Sequence, residues 1–242
     1  VNRTPLCELA EKYGTDKGPS CHGYTRLYHW LFGSWRNAEM VLFETGVEAG
    51  VSLRMWADYF PQAQIHGLDI SLERVQDGVH DHPRIHLHEG DQKDPEVIET
   101  ALGSMFEMPS IVVDDASHAH IDQQRLLVNL HQRVVNNGHT VYVIEDIHTS
   151  LMSAEEAYSV LHLGPRGMGA NGPVDPSTTL LTLGRLKASL VTGVFQRSNW
   201  ITDEEGESIR NALDDLDLYS TYIHDDESTE YGFGSMMGVL YF

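Results

Sequence analysis

From residue 40 to residue 145 short apolar runs alternate with segments of helical period, and few folds accommodate that rhythm. Residues 40–46, 64–69, 84–89, 110–114 and 140–145 read as strands, with helices at 52–59, 72–78, 95–102 and 119–135. The alternation predicts a doubly wound, Rossmann-like α/β fold, a mostly parallel sheet with helices on both faces. Ahead of it, residues 1–38 form a helical segment, with helix over 6–36 broken by a turn at 14–19. The segment is rich in aromatics, of which Tyr28 and Trp30, like Trp56 further on, are assigned first to the core and second to a ligand pocket. Behind it, 178–191 and 204–216 read as helices, and 218–224 with 231–242 as a closing antiparallel hairpin turning at 225–229. The whole of 1–242 reads as a single domain. Residues 164–177 hold too many Gly and Pro for helix or ladder, and form either a mobile lid or a plain connection.

Ligands of such sheets bind outside the carboxyl ends of the strands. Two acid pairs stand there, Asp114-Asp115 and Glu145-Asp146, each closing an apolar run. Carboxylates crowded at one rim repel one another unless a cation is shared among them. A divalent metal is therefore expected, although an ordinary strand-end pair would also account for Glu145-Asp146. His118, three residues beyond Asp115, is placed to act as a base, and an imidazole ordinarily titrates near pH ~6.5. Together these residues suggest chemistry on a hydroxyl group. His148 is open to two uses, contact with a ligand or a structural hydrogen bond.

The loop after the first strand, Glu44-Thr45-Gly46-Val47-Glu48-Ala49-Gly50-Val51-Ser52, points to a cofactor. Gly46 permits a tight turn, and Gly50 opens the next helix so that a ligand can approach its amides. A dinucleotide fingerprint would need glycine at 48 and 51, where Glu48 and Val51 stand, and its pyrophosphate would meet Glu44 and Glu48. A cofactor with an amino group and no phosphate suits these acids better, and S-adenosylmethionine (SAM) has both properties. Glu44 would take its ammonium group or orient the water around it, Asp69 at the end of the second strand would accept both ribose hydroxyls, and the adenine edge would fall at Asp91-Gln92.

A formal charge of −20, from 16 basic and 36 acidic side chains, argues against nucleic acid or an anionic lipid surface as partner. No apolar run approaches the roughly 18 residues of a membrane helix, and no signal-peptide pattern opens the chain. Cys7 and Cys21 are too few for a disulfide scaffold, so a cytoplasmic protein is expected. Most histidines, among them His80, His82, His86 and His88, fall in polar stretches and are expected to face water.

Several motifs together are specific: Leu9-Ala10-Glu11-Lys12-Tyr13-Gly14-Thr15-Asp16-Lys17-Gly18, His22-Gly23-Tyr24-Thr25, Ser52-Leu53-Arg54-Met55-Trp56, Gly67-Leu68-Asp69-Ile70, Gly90-Asp91-Gln92, Asp114-Asp115-Ala116-Ser117-His118 and Ile144-Glu145-Asp146-Ile147-His148. In these the chain resembles the metal-dependent sugar O-methyltransferases of macrolide pathways (mycinamicin and tylosin type), which are related to cephalosporin hydroxylase-like proteins. The likeness covers about residues 6–150.

The resemblance implies a class I methyltransferase fold and transfer of a methyl group from SAM to a sugar hydroxyl with Mg2+. It also implies the roles of residues. Asp115, Glu145 and Asp146 would be metal ligands, with Asp115 also touching the cofactor, and His118 the general base. Lys17, Tyr24, residues 44–52 (Glu44, Gly46, Gly50 and Ser52 among them), Asp69, Asp91 and Gln92 would be cofactor contacts. Asp114, outside the ligand position, is left to bond backbone amides or cap a helix. The acceptor would be a sugar-containing small molecule, an oligosaccharide or a glycolipid, and the assembly a homodimer or larger. Ala116 and Thr45 depart from the family's usual Gly and Ile, and neither change touches the chemistry. Two other readings stand beside this one: methylation of a catechol-like diol, and a SAM- or metal-binding protein without transferase activity.

Overall fold

The five apolar runs predicted as strands lie side by side and parallel. The computed structural model describes residues 3–134, 139–151, 178–221 and 235–242. Its strands are β1 (Val41–Thr45), β2 (Gln64–Asp69), β3 (Ile85–Glu89), β4 (Ile111–Asp114), β5 (Val141–Ile144), β6 (Asp215–Thr221) and β7 (Ser235–Tyr241). They form one sheet in the order β3-β2-β1-β4-β5-β7-β6, with β7 antiparallel to both β5 and β6. The helices are α1 (Pro5–Tyr13), α2 (Tyr24–Phe32), α3 (Val51–Tyr59), α4 (Asp77–His80), α5 (Pro95–Gly103), α6 (His120–Val134), α7 (Thr179–Thr192) and α8 (Asp203–Ala212).

Side chains alternate across the sheet, so each strand feeds two cores. Leu42, Ile65 and Val113 pack with Leu6, Tyr28 and Trp56 on one face. Phe43, Leu68 and Val112 pack with Ile98, Leu126 and Leu186 on the other. Full burial of each such side chain contributes about 1.5–3 kcal/mol. No helix among the described residues is long and apolar enough to cross a membrane.

Some expected elements differ. Helix at 72–78 is replaced by a short α4, because the Gln76 amide bonds the Ala49 carbonyl (3.2 Å) and Leu72 bonds the Glu89 carboxylate (3.3 Å). Helix at 204–216 stops at Ala212: Leu213 is extended and the Asp214 amide joins the Tyr241 carbonyl at 2.7 Å, so β7 captures residues 215–221 as a strand. In the N-terminal segment α2 gives way after Phe32 to a 3-10 turn, Gly33–Trp35. Tyr28 and Trp56 are buried edge to face at 5.1 Å, whereas Trp30, expected in the core, is 70% exposed against Tyr219. The predicted lid at 164–177 and the hairpin turn at 225–229 lie outside the described residues.

The histidines of β2 and β3 do not all face water. His66 is buried, stacked on His86 and joined to His88 by a 3.0 Å nitrogen–nitrogen hydrogen bond. Burial, then the neighbouring His86 and His88, holds its pKa at about 3. The folded value lies below the unfolded one, so stability is full above pH ~6.5 and falls as pH drops towards 3. His66→Gln should flatten that fall by up to about 1.4 kcal/mol per pH unit. Urea unfolding at pH 7.5, 6.5 and 5.5 measures it, and parallel slopes for both proteins would count against the assignment.

Candidate active site

Register brings the functional residues to one rim. Thr45 pairs with Leu68 on one side and Asp114 on the other, and Asp114 pairs with Ile144, so the residues after β1, β4 and β5 emerge together. Chain order reverses between β1 and β4, where doubly wound sheets open a crevice. A cavity of about 610 Å³ lies there. Gly46, at φ 88°, is required by the close approach of two loops, since a Cβ on it would meet the Asp115 carbonyl oxygen at 2.0 Å. Gly50, at φ 75°, opens α3, and a Cβ on it would meet Val79 at 2.8 Å.

Of the predicted cofactor residues, Gly46, Ser52, Asp69, Asp91, Gln92 and Asp115 line this cavity, and Lys17, Tyr24, Glu44 and Gly50 do not. Asp69 is already occupied: it accepts the amides of Val47 (2.7 Å), Glu48 (2.9 Å) and Ser71 (3.2 Å). A carboxylate has about four lone-pair sites, so Asp69 keeps acceptor capacity towards the cavity it lines. Gln92 is buried with both amide atoms unpartnered, so a ligand with donor and acceptor edges fits against it.

The acids fall into two groups that share Asp115. Asp115, His118 and Asp146 offer ligand atoms within 4.8 Å of one another, with His118 Nε2 3.5 Å from Asp146 Oδ2. Glu145 is not in that set. It accepts hydrogen bonds from the Tyr28 hydroxyl and, at 2.9 Å, from the ammonium of Lys17. Lys17 is wholly buried and also contacts Asp115 and, at 3.3 Å, Glu44, which further accepts the Trp56 indole N–H at 3.0 Å. The lysine and glutamate that the resemblance assigns to cofactor thus meet each other. Asp114 bonds side chains instead of amides, accepting from Thr45 (3.3 Å) and Tyr142 (3.1 Å).

Electrostatics obey the same division. Burial alone would lower the Lys17 pKa, but Asp115, Glu145 and Glu44 hold it well above the ordinary value, so the ammonium stays charged. Burial pushes Glu44 up to about 7 even with Lys17 beside it. Asp146 is the exception: burial would raise it, yet His118, His22 and His148 around it hold the carboxyl at about 2. It is therefore an anion near neutral pH and a suitable partner for a cation. His148 Nδ1 lies 3.6 Å from it and makes no hydrogen bond.

Strain concentrates at the same place. Among the described residues the non-glycine residues with positive φ are Glu48, His118 and Asp146, and all border this crevice. Backbone held so is expected where function over-determines it.

No protein-family model matches the chain. It is 35% identical over 152 residues to mycinamicin VI 2''-O-methyltransferase of Micromonospora griseorubida, covering 60% of this chain and 36% of that protein. With demethylmacrocin O-methyltransferase of Streptomyces fradiae it shares 33% identity over 211 residues, 84% of this chain and 47% of that one. The chain is a homologue of antibiotic sugar O-methyltransferases. Structure agrees: MycE methyltransferase from mycinamycin biosynthesis, solved in complex with Mg, SAH and mycinamycin VI, superposes with a TM-score of 0.69 at 25% identity. That match covers 99% of this chain and 55% of MycE, and shows the class I methyltransferase fold expected from the motifs. The homologue spans half or less of the length of the curated relatives it matches.

Motif reading left several cavity-lining residues of the homologue without a role: Ser117, Asp122, Lys93, Arg74 and Ile70. Ser117 and Ile70 lie inside quoted motifs, and position in a motif was the one available signal. Asp122 and Lys93 carry none, because an acid in a first helical turn and a surface lysine are ordinary.

Proposed function

We propose that this protein is a SAM- and Mg2+-dependent O-methyltransferase acting on a sugar hydroxyl of a glycosylated natural product. The observation that carries the reading is the convergence of Asp115, His118 and Asp146 beside a crevice also lined by Asp69, Asp91 and unpartnered Gln92. Two carboxylates suit a divalent cation, Asp115 and Asp146 as hard oxygen ligands, and leave the imidazole beside them for the proton. A cation bound there would make a neighbouring hydroxyl easier to deprotonate. The chain's residues do the rest. The Asp69 and Gln92 wall binds and orients the methyl donor. His118, on the crevice lining, takes the hydroxyl proton. Asp146, close to Nε2, steadies the imidazolium that results. Alignment of hydroxyl and methyl is the larger part of what the sheet contributes. Lys17 contacts both Asp115 and Glu145 in this structure, so a cation on either acid would share it with the ammonium. Both cysteines are free, in keeping with a cytoplasmic enzyme.

The test is methyl transfer from labelled SAM to a panel of glycosylated macrolides, simple sugars and catechols. We expect a methylated sugar, a rate more than about tenfold lower in EDTA, and recovery with Mg2+. Transfer confined to catechols, or turnover indifferent to EDTA, would overturn the proposal.

A further inference from the structure

Asp122 stands in the first turn of α6, with its side chain 14% exposed, and reaches in two directions. Its Oδ2 accepts the Ser117 hydroxyl, and its Oδ1 lies 2.8 Å from Lys93 Nζ. The Ser117 oxygen in turn accepts the Ala119 amide at 3.3 Å, and the Asp122 amide closes on the Ala119 carbonyl at 2.9 Å. His118 lies inside this ring of bonds, at φ 56°. A left-handed L-residue persists where its surroundings hold it, and here both chain neighbours are tied to Ser117 Oγ or Asp122. Lys93 also contacts Asp91 at 3.2 Å, and its carbonyl accepts the Asn129 side chain at 3.0 Å. The same lysine therefore spans from the end of β3 to α6 across the crevice.

We propose that Asp122 is a positioning residue for His118: through Ser117 it holds the turn that sets the imidazole beside Asp146, and through Lys93 it links that turn to the Asp91-Gln92 wall. The inference rests on the methyltransferase reading above. An acid in a first helical turn also favours the helix N-terminus by itself, so the experiment must separate positioning from simple stabilisation.

Asp122→Asn and Ser117→Ala are made alone and with His118→Asn, in the full chain with Mg2+ present. Alone, Asp122→Asn should lower kcat at least about tenfold, while S-adenosylhomocysteine affinity by calorimetry changes less than about threefold. On the His118→Asn background the same change should cost less than about twofold, because the group being positioned is gone. Asp122→Glu should restore part of the rate. Effects of Asp122→Asn and His118→Asn that multiply, or a lowered melting temperature with kcat unchanged, would overturn the proposal. If the wild-type protein methylates no acceptor, the functional reading fails by itself. Positioning is then read from 1H–15N spectra. The His118 amide and ring signals should move in Asp122→Asn and Ser117→Ala and stay in Asp77→Asn; unmoved signals reject it.

Discussion

Turnover of a His118→Asn protein is expected to fall by about 10²–10⁴-fold, the usual worth of a general base. Asparagine suits this position because it tolerates the left-handed backbone that His118 adopts at φ 56°, so the change removes the imidazole and spares the turn. Affinity for S-adenosylhomocysteine should stay near wild type, since the Asp69 and Gln92 wall is untouched. His118 Nδ1 is buried without a partner, and Asp146, which loses the Nε2 contact, keeps the Tyr24 hydroxyl, His22 and His148 beside it. A variant that turned over within about threefold of wild type would remove His118 from proton transfer altogether.

Lys17→Met should cost about 3–5 kcal/mol of folding stability, because removing one member of a buried ionic network leaves the others uncompensated. Lys17 is fully buried against Glu44, Asp115 and Glu145, and methionine keeps most of its volume without the charge. Lys17→Arg keeps the charge and should lose less. Sign matters for the pH dependence. In the variant the three carboxylates have folded pKa values above their unfolded ones, so their repulsion weakens as they protonate, and the deficit should shrink from pH 8 towards pH 5. Glu44, already at about 7 beside the lysine, would protonate early in that range. Urea unfolding across this range measures both. A Lys17→Met protein within about 1 kcal/mol of wild type at pH 8 would show that the acids do not need the ammonium.

Much of the architecture was legible because periodicity is local. Residues 41–45 and 111–114 are apolar runs too short for a helix, and each is a buried parallel strand. Where long-range pairing competes with local pattern, the expectation failed. Residues 215 and 216 read as helix, yet their backbone groups are taken by β7. Residues 72–76 carry helical spacing, yet the Leu72 amide bonds the Glu89 carboxylate at the end of β3 and the Gln76 amide bonds the Ala49 carbonyl. Trp30 looked like core by chemistry alone, and its position on α2 faces it outward.

At the site the identities of the chemical groups were present in the chain, and their allegiances were not. Asp115, His118, Glu145, Asp146 and Gln92 could be picked out from strand ends and motifs, because side-chain chemistry and chain order are properties of sequence. Which acid faces a cation, which faces Lys17, and which residue sets the His118 turn depend on distances between segments as far apart as Lys17 and Glu145, separated by 128 positions. In a low-dielectric crevice such distances decide the charge state of each group. Composition and order chose the reactive set; only the closing of the sheet's rim assigned each member its partner.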